Sequence, residues 1–368
     1  MKLWMSKLLS LTTVAETAKT ISPLSSSPSK GMMNDCSTLC TAAAFVTALI
    51  TSMMVTKEWI RVAKARGIVG KDVNKEEEIY VPEGGGVGFV MGTVMGTFAA
   101  IALSVFIFKI DSWLVYLLAS VTTFLMASFI GFIDDVLGWK KGLSHRAKVL
   151  STVPIAVPLV AVNAGVSVMC LPFFGCVKFG ILYPLVIIPI GIVGATNAFN
   201  MIAGLNGLEA SMASVIYATL GLLSYHHNRM TSAVLSFASL GAALGFLYWN
   251  KYPAKVFPGD VFTYAAGSMI AAIAIVGNLE GAALILFIPY FLELFLYLYG
   301  KVHGIEKESW GVPKGGCLEL PYDKPYSATH LAMLLLKKVK GCAKERDVVT
   351  LLVLVEIVIA AIVLVIYW

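Results

Sequence analysis

Apolar residues run in long continuous stretches from about residue 38 to the end of the chain, broken by short polar segments. Ten such stretches are expected to be spans, near 38–56, 86–108, 113–133, 149–168, 179–198, 208–225, 232–249, 261–279, 281–299 and 347–367. As helices they approach the roughly 20 residues needed to cross hydrocarbon. Their continuity, without period-two alternation, argues against a membrane β-barrel. The expected fold is therefore all-α: a polytopic membrane protein of about ten transmembrane helices, with one domain over 37–368. No internal repeat stands out, which weakens the case for a transporter built from inverted halves. Residues 1–36 are rich in Ser, Thr and Lys and show no clear cleavage pattern, so they read as a lead-in, with a peripheral helix as the expected element.

Charge gives the spans a direction. Of the 28 Lys and Arg residues, 21 fall in the first, third, fifth, seventh and ninth inter-span loops and their flanks. The positive-inside rule then places these loops in the cytoplasm and both termini outside. The composition agrees with the class: 58% of residues are hydrophobic and 14% charged, where a soluble domain carries about 25% charged residues. The net charge of +6 is split among short loops, so anionic lipid head groups and anionic substrates fit it better than a nucleic-acid partner. The six cysteines include no CxxC pair, so no zinc site is expected. Cys170 and Cys176 flank a short loop; they would pair on an oxidising side and stay free thiols otherwise.

The unusual polar residues collect on the expected cytoplasmic side. Asp134 and Asp135 close the third span, and ATNAFNMIAGLNGLEA at 195–210 carries Asn197, Asn200, Asn206 and Glu209 around Gly204 and Gly207. VFPGD ends in Asp260 at the mouth of the eighth span, and VPEGGG places Glu83 before three glycines. Carboxylates beside hydrocarbon are costly unless paired, hydrated or metal-bound. Asp and Asn oxygens suit Mg²⁺, which usually shares its shell with substrate phosphates. Asn197 and Asn200 share a helix face, as do Asn206 and Glu209, whereas Asp134 and Asp135 point about 100° apart. A single aspartate at a span end is commonly only a cap, but the adjacent pair, the Asn-rich loop and Asp260 on one side exceed that reading. Neither a Walker loop nor GxGxxG spacing is present. Glu293 and Glu356 fit packing roles, and His226 and His227 a solvated outer turn.

DDVLGW, NAFNMIAGLNGLEA and VFPGD, in this order, resemble the polyprenyl-phosphate N-acetylhexosamine-1-phosphate transferases. GKDVNK at 70–75, VPEGGG at 81–86 and the tail from THLAMLL onward resemble the archaeal and eukaryotic branch, which transfers GlcNAc-1-phosphate from UDP-GlcNAc to dolichyl phosphate. The likeness implies Mg²⁺ as cofactor, with Mn²⁺ as a substitute, held by Asn200 and Asp260. It implies Asp134 and Asp135 as the acidic pair beside the metal, with Asp134 nearer the reacting phosphates, and Lys148 as a phosphate contact. That last match crosses a small insertion around Lys140–Ser144. Asn206, with Gly204 beside it, matches the residue that meets the uridine; Glu83, Asn197 and Glu209 complete the expected substrate set. Relatives carry a His and Arg-rich motif in the ninth loop, where this chain reads KVHGIEKESWGVPKGG, so His303 and Lys307 are the candidate pyrophosphate contacts. Residues 300–346 are expected to form a loop or lid, with Trp310 either packed within it or over substrate.

The partners implied are UDP-GlcNAc, dolichyl or polyprenyl phosphate and the bilayer, with a homodimer among the expected assemblies. The expected membrane is the archaeal cell membrane first and the endoplasmic reticulum second, with the active site cytoplasmic. A related transferase for another UDP-sugar, such as UDP-MurNAc-pentapeptide, and a transporter or lipid-sugar flippase are the competing readings.

Overall fold

A computed structural model describes residues 30–137, 145–171 and 175–368. Most of the N-terminal lead-in and the insertion at Lys140–Ser144 lie outside the described residues. The described chain is a bundle of long apolar helices. They are α1 (Lys30–Arg66), α2 (Gly86–Ala102, continued by a π-helical stretch Leu103–Phe108), α3 (Leu114–Leu137), α6 (Ile188–Met201, preceded by π-helical Tyr183–Ile187), α7 (Leu208–His226), α8 (Met230–Asn250), α9 (Gly259–Gly277) and α13 (Glu345–Tyr367). These eight are long and apolar enough to cross a membrane. The chain is a multi-pass, all-α membrane protein.

Two expected spans are not regular helices. The fourth, placed at 149–168, is three short pieces: α4 (His145–Thr152), a 3₁₀ turn (Val153–Ala156) and α5 (Val157–Ala161). Pro154 and Pro158 lack the N–H that a continuing helix needs, so the run breaks twice and ends early. The ninth, placed at 281–299, is a pair, α10 (Glu280–Leu286) and α11 (Ile288–Val302), bent by 56° at Phe287, two residues before Pro289. The first span is far longer than the apolar run 38–56, because α1 continues through its basic end to Arg66.

The connections carry three two-stranded antiparallel sheets among the described residues. β1 (Val69–Lys71) pairs with β2 (Tyr80–Pro82) in the first loop, and β5 (Val312–Lys314) with β6 (Cys317–Glu319) in the ninth. β3 (Val168–Leu171) and β4 (Gly175–Lys178) form a hairpin closed by a Cys170–Cys176 disulfide. A second disulfide, Cys317–Cys342, ties β6 to the segment after α12 (Ala328–Lys340), a pairing the sequence does not signal. Cys36 and Cys40 are buried and free.

The core centres on α9, whose residues are nearly all buried. Side-chain hydroxyls satisfy backbone acceptors between helices, as where Ser52 donates to the Ala242 carbonyl at 2.7 Å and Tyr217 to that of Ala266 at 3.0 Å. Such bonds are modest individually but cannot be replaced by water inside a bilayer.

Candidate active site

The site begins where α3 crosses the start of α9. Gly131 allows that crossing, since an added Cβ would lie 2.3 Å from the Asp260 carbonyl oxygen. One turn later α3 ends in the two adjacent aspartates, and they do different work. The Asp135 carboxylate accepts the N–H of Asp260 at 2.7 Å and that of Val261 at 3.1 Å. A helix start leaves such donors without partners, so Asp135 caps α9 from a neighbouring helix. Gly259 has φ +68°, and a Cβ there would lie 2.3 Å from Asp135 Oδ2. Only glycine fits both the backbone and the contact.

Asp134 instead meets the Asp260 side chain, and Lys148 from α4 closes the group. Its Nζ lies 2.7 Å from Asp134 Oδ2 and 2.6 Å from Asp260 Oδ2. Two carboxylates at this spacing repel unless a cation lies between them, and the ammonium occupies that position. Asn200, at the end of α6, accepts the Thr263 hydroxyl at 2.9 Å, and Thr263 follows Asp260 by one turn of α9. Asn197 points elsewhere: its amide donates to Thr152 Oγ1 at 3.0 Å and to the Val193 carbonyl at 2.8 Å, tying α6 to the broken fourth span.

A cavity of about 560 Å³ opens beside this group, with Asn200, Asp260, Thr263, Glu83, Gly204, Asn206 and Glu209 in its wall. The first, fifth, seventh and ninth loops all contribute to it, and Lys148 brings the third to its edge. Asp134, Asp135, Lys148, Asn197, His303 and Lys307 are not part of that wall. Burial pushes the Glu83 carboxyl above its ordinary range. Glu209 is buried, and its Oε1 accepts the Gly204 N–H at 2.8 Å.

The GLNG turn is held by residues outside the set chosen from sequence. Asn206 Nδ2 donates to Asp72 Oδ2 at 3.0 Å, and its backbone N–H donates to Glu345 Oε1 at 2.8 Å. Lys75 joins both acids, at 3.4 Å from Asp72 and in a direct ion pair with Glu345. Burial would lower the Lys75 ammonium, but the bond to Glu345 and the nearby Asp72 charge hold it above the usual lysine value. Asn74 Nδ2 donates to the Gly204 carbonyl at 2.8 Å. Asp72, Asn74 and Lys75 all belong to the GKDVNK stretch, and its density of polar residues next to an apolar chain was the available signal.

The ninth loop places its two sequence candidates away from the cavity. Lys307 pairs with buried Glu293 and donates to the Met201 carbonyl at 2.9 Å. Glu293 also accepts Ser327 Oγ at 3.0 Å and the Ala328 N–H at 2.7 Å, which fixes the start of α12. His303 is exposed, with Nδ1 2.8 Å from the Tyr299 carbonyl. Trp310 does line the cavity.

The donor set bears on a metal. Among the described residues, no three or more His, Cys, Asp or Glu side chains close around a point as a self-sufficient metal site. Mg²⁺ rarely uses such a cage; it binds through one or two carboxylates and completes its shell with water and substrate phosphates. Asp260 and Asn200 on the cavity wall, with Asp134 adjoining, supply hard oxygens of that kind. The residues fit a phosphate-bound Mg²⁺.

Residues 114–278 match the model of glycosyl transferase family 4. A Saccharolobus solfataricus protein named "Putative UDP-N-acetylglucosamine--dolichyl-phosphate N-acetylglucosaminephosphotransferase" is 35% identical over 314 residues, covering 84% of this chain and 91% of that one. A Sulfolobus acidocaldarius protein of the same name is 32% identical over 319 residues, covering 86% and 92%. A Bacillus subtilis "Probable undecaprenyl-phosphate N-acetylglucosaminyl 1-phosphate transferase" is 27% identical over 66% of this chain and 64% of its own.

Proposed function

The chain belongs to glycosyl transferase family 4, and from that premise we propose that it transfers GlcNAc-1-phosphate from UDP-GlcNAc to a dolichyl or other polyprenyl phosphate. A lipid phosphate oxygen attacks the β-phosphorus of the donor. The bond from that phosphorus to the bridging oxygen breaks, UMP leaves with the oxygen, and GlcNAc-pyrophosphoryl-lipid stays in the membrane. The observation that carries the reading is the Asp134–Lys148–Asp260 group at the edge of a polar cavity, where the ends of apolar helices meet water-facing loops. A lipid phosphate and a soluble nucleotide sugar can meet only at such a boundary. The Lys and Arg asymmetry of the loops supports the cytoplasm as the side from which the donor enters.

The residues divide the work. Asp260 and Asn200, with Asp134 adjoining, would hold Mg²⁺ against the diphosphate. When bound, that ion neutralises charge building on the phosphate oxygens. Lys148 supplies a fixed positive charge to the incoming phosphate once substrate displaces it from a carboxylate. The attacking phosphate is already anionic, so no strong base is required, and a one-step displacement is the simpler course. Asp135 keeps the start of α9, and so Asp260, in place. The turn around Gly204 and Asn206 receives the uridine, held by Asp72, Asn74 and Glu345.

The test is UMP release by the purified protein from UDP-GlcNAc plus dolichyl phosphate, with Mg²⁺ and then with EDTA. Release that needs both substrates and the metal is the expected result. Release only with another UDP-sugar moves the chain within the family, and no release with any pair from folded protein overturns the reading.

A further inference from the structure

Trp310 is set into the cavity wall on a rigid mount. Its carbonyl oxygen lies 3.2 Å from His330 Nε2, while His330 Nδ1 accepts the Tyr326 N–H at 3.3 Å. The second bond fixes the tautomer: Nε2 carries the proton and donates to Trp310. On the other side, the Gly311 N–H donates to Asn74 Oδ1 at 3.2 Å, and the same Asn74 amide holds the Gly204 carbonyl. Ser309 Oγ donates to the Met201 carbonyl at 3.1 Å, next in sequence to Asn200. The indole itself is left over. Its ring lies 3.9 Å from where a Gly204 Cβ would be, it is half-buried, and among the described residues its N–H has no hydrogen-bond partner. That N–H is not among the sealed, unpaired polar atoms of the interior, so it is open to a partner that enters the cavity.

Resting on the donor proposed above, we infer that Trp310 is the platform for the amino-sugar ring of the nucleotide sugar. Stacking needs an apolar ring face, and the sugar has one in its C–H groups. Phe257 and Tyr80 also line the cavity, so the uracil has aromatic walls of its own. The sugar is bonded directly to the reacting phosphate, so it must lie beside Asn200 and Asp260. Trp310 is the aromatic side chain whose loop is bolted to Met201, the neighbour of Asn200. The free indole N–H then serves a sugar hydroxyl or the acetamido oxygen. Trp310 thus favours a hexosamine donor by shape and one hydrogen bond, in a loop whose candidates His303 and Lys307 are placed elsewhere.

The experiment is steady-state kinetics of wild type, Trp310→Phe, Trp310→Leu and Trp310→Ala, varying UDP-GlcNAc and lipid phosphate separately, together with the inhibition constant of UMP. Stacked aromatic contacts of ordinary strength predict a rise of about three- to tenfold in KM for UDP-GlcNAc in the Leu and Ala variants, with a smaller rise for Phe. KM for the lipid phosphate and the UMP constant should stay unchanged, since UMP lacks the amino sugar. Unchanged KM for UDP-GlcNAc in Leu and Ala overturns the platform. A parallel rise in the UMP constant also overturns it, by placing the indole on the base. The Leu variant keeps bulk, so it carries the test if Ala fails to fold. Should the wild type release no UMP from UDP-GlcNAc, the proposed reaction fails and the platform with it, which is a different result from an active wild type with indifferent variants.

Discussion

The Asp135 carboxylate receives the backbone N–H of Asp260 at 2.7 Å, so the acid closing one helix holds the first turn of another. Removing it should therefore damage both stability and turnover. Asp135→Ala leaves the Asp260 and Val261 donors without their acceptor, at a cost of about 1–3 kcal/mol. The expected outcome is a lower thermal midpoint in detergent together with lost UMP release. Asp135→Asn keeps one acceptor and should lose less of each. A variant with wild-type midpoint and wild-type rate would show that the cap is dispensable.

Lys148 bridges Asp134 and Asp260, so its loss should leave the fold but not the rate. Lys148→Ala is expected to lower kcat by about 10²–10³-fold, the scale for removing one electrostatic group from a transfer site. Lys148→Arg should recover part of it. Asp260→Ala and Asn200→Ala should abolish turnover and also weaken the Mg²⁺ dependence of UMP binding. A Lys148→Ala rate within a factor of two of wild type would remove Lys148 from the phosphate path.

Asp72 lines the cavity and holds the Asn206 side chain. Asp72→Ala frees the Asn206 side chain and removes one partner of Lys75. It should raise KM for UDP-GlcNAc and the inhibition constant of UMP by similar factors, with little change for lipid phosphate. Equal effects on both substrates would mean general disorder rather than loss of the turn.

His330 gives the loop a pH dependence. Burial lowers its pKa from the ordinary 6.5 to about 4, with the Lys307 charge adding to the fall and the bond to the Trp310 carbonyl opposing it. The neighbours facing it are Lys307, Trp310 and the Tyr322 ring 5.8 Å away. Between pH 6.5 and about 4 the unfolded chain binds a proton that the folded one does not, so stability is lost as pH falls through that window. The full effect is about 3 kcal/mol. His330→Asn should flatten this part of the midpoint-versus-pH curve. A variant with the same acid slope as wild type would assign it to other groups.

The Cys317–Cys342 disulfide closes a segment of 25 residues that includes α12. Loop entropy gives such a link about 3 kcal/mol. Cys317→Ser with Cys342→Ser should make the 300–346 region easier for protease to cut, seen as faster nicking at fixed enzyme dose, while α1–α9 stay intact. Equal nicking of oxidised and variant protein would show that the Glu293 contacts alone hold the loop.

Hydropathy alone determined the class, most of the spans and the loops that gather at the cavity, because long apolar runs have no stable place except a membrane or a large core. Asn200, Asn206 and Asp260 were legible because polar residues at span ends are costly without a reason. The breaks in the fourth and ninth spans escaped the apolar pattern, since Pro154, Pro158 and Pro289 interrupt hydrogen bonding without changing hydropathy. Tertiary structure alone decided which acid of the adjacent pair caps α9 and which meets Lys148, because neighbours on a helix diverge and only the packing of α3 on α9 selects between them. It also decided that Lys307 is spent on Glu293, 14 residues earlier, while uncharged Trp310 reaches the cavity. A charge in a sequence shows what a residue can bind. Which partner it takes is settled by distance, and distance between remote segments exists only in the folded chain.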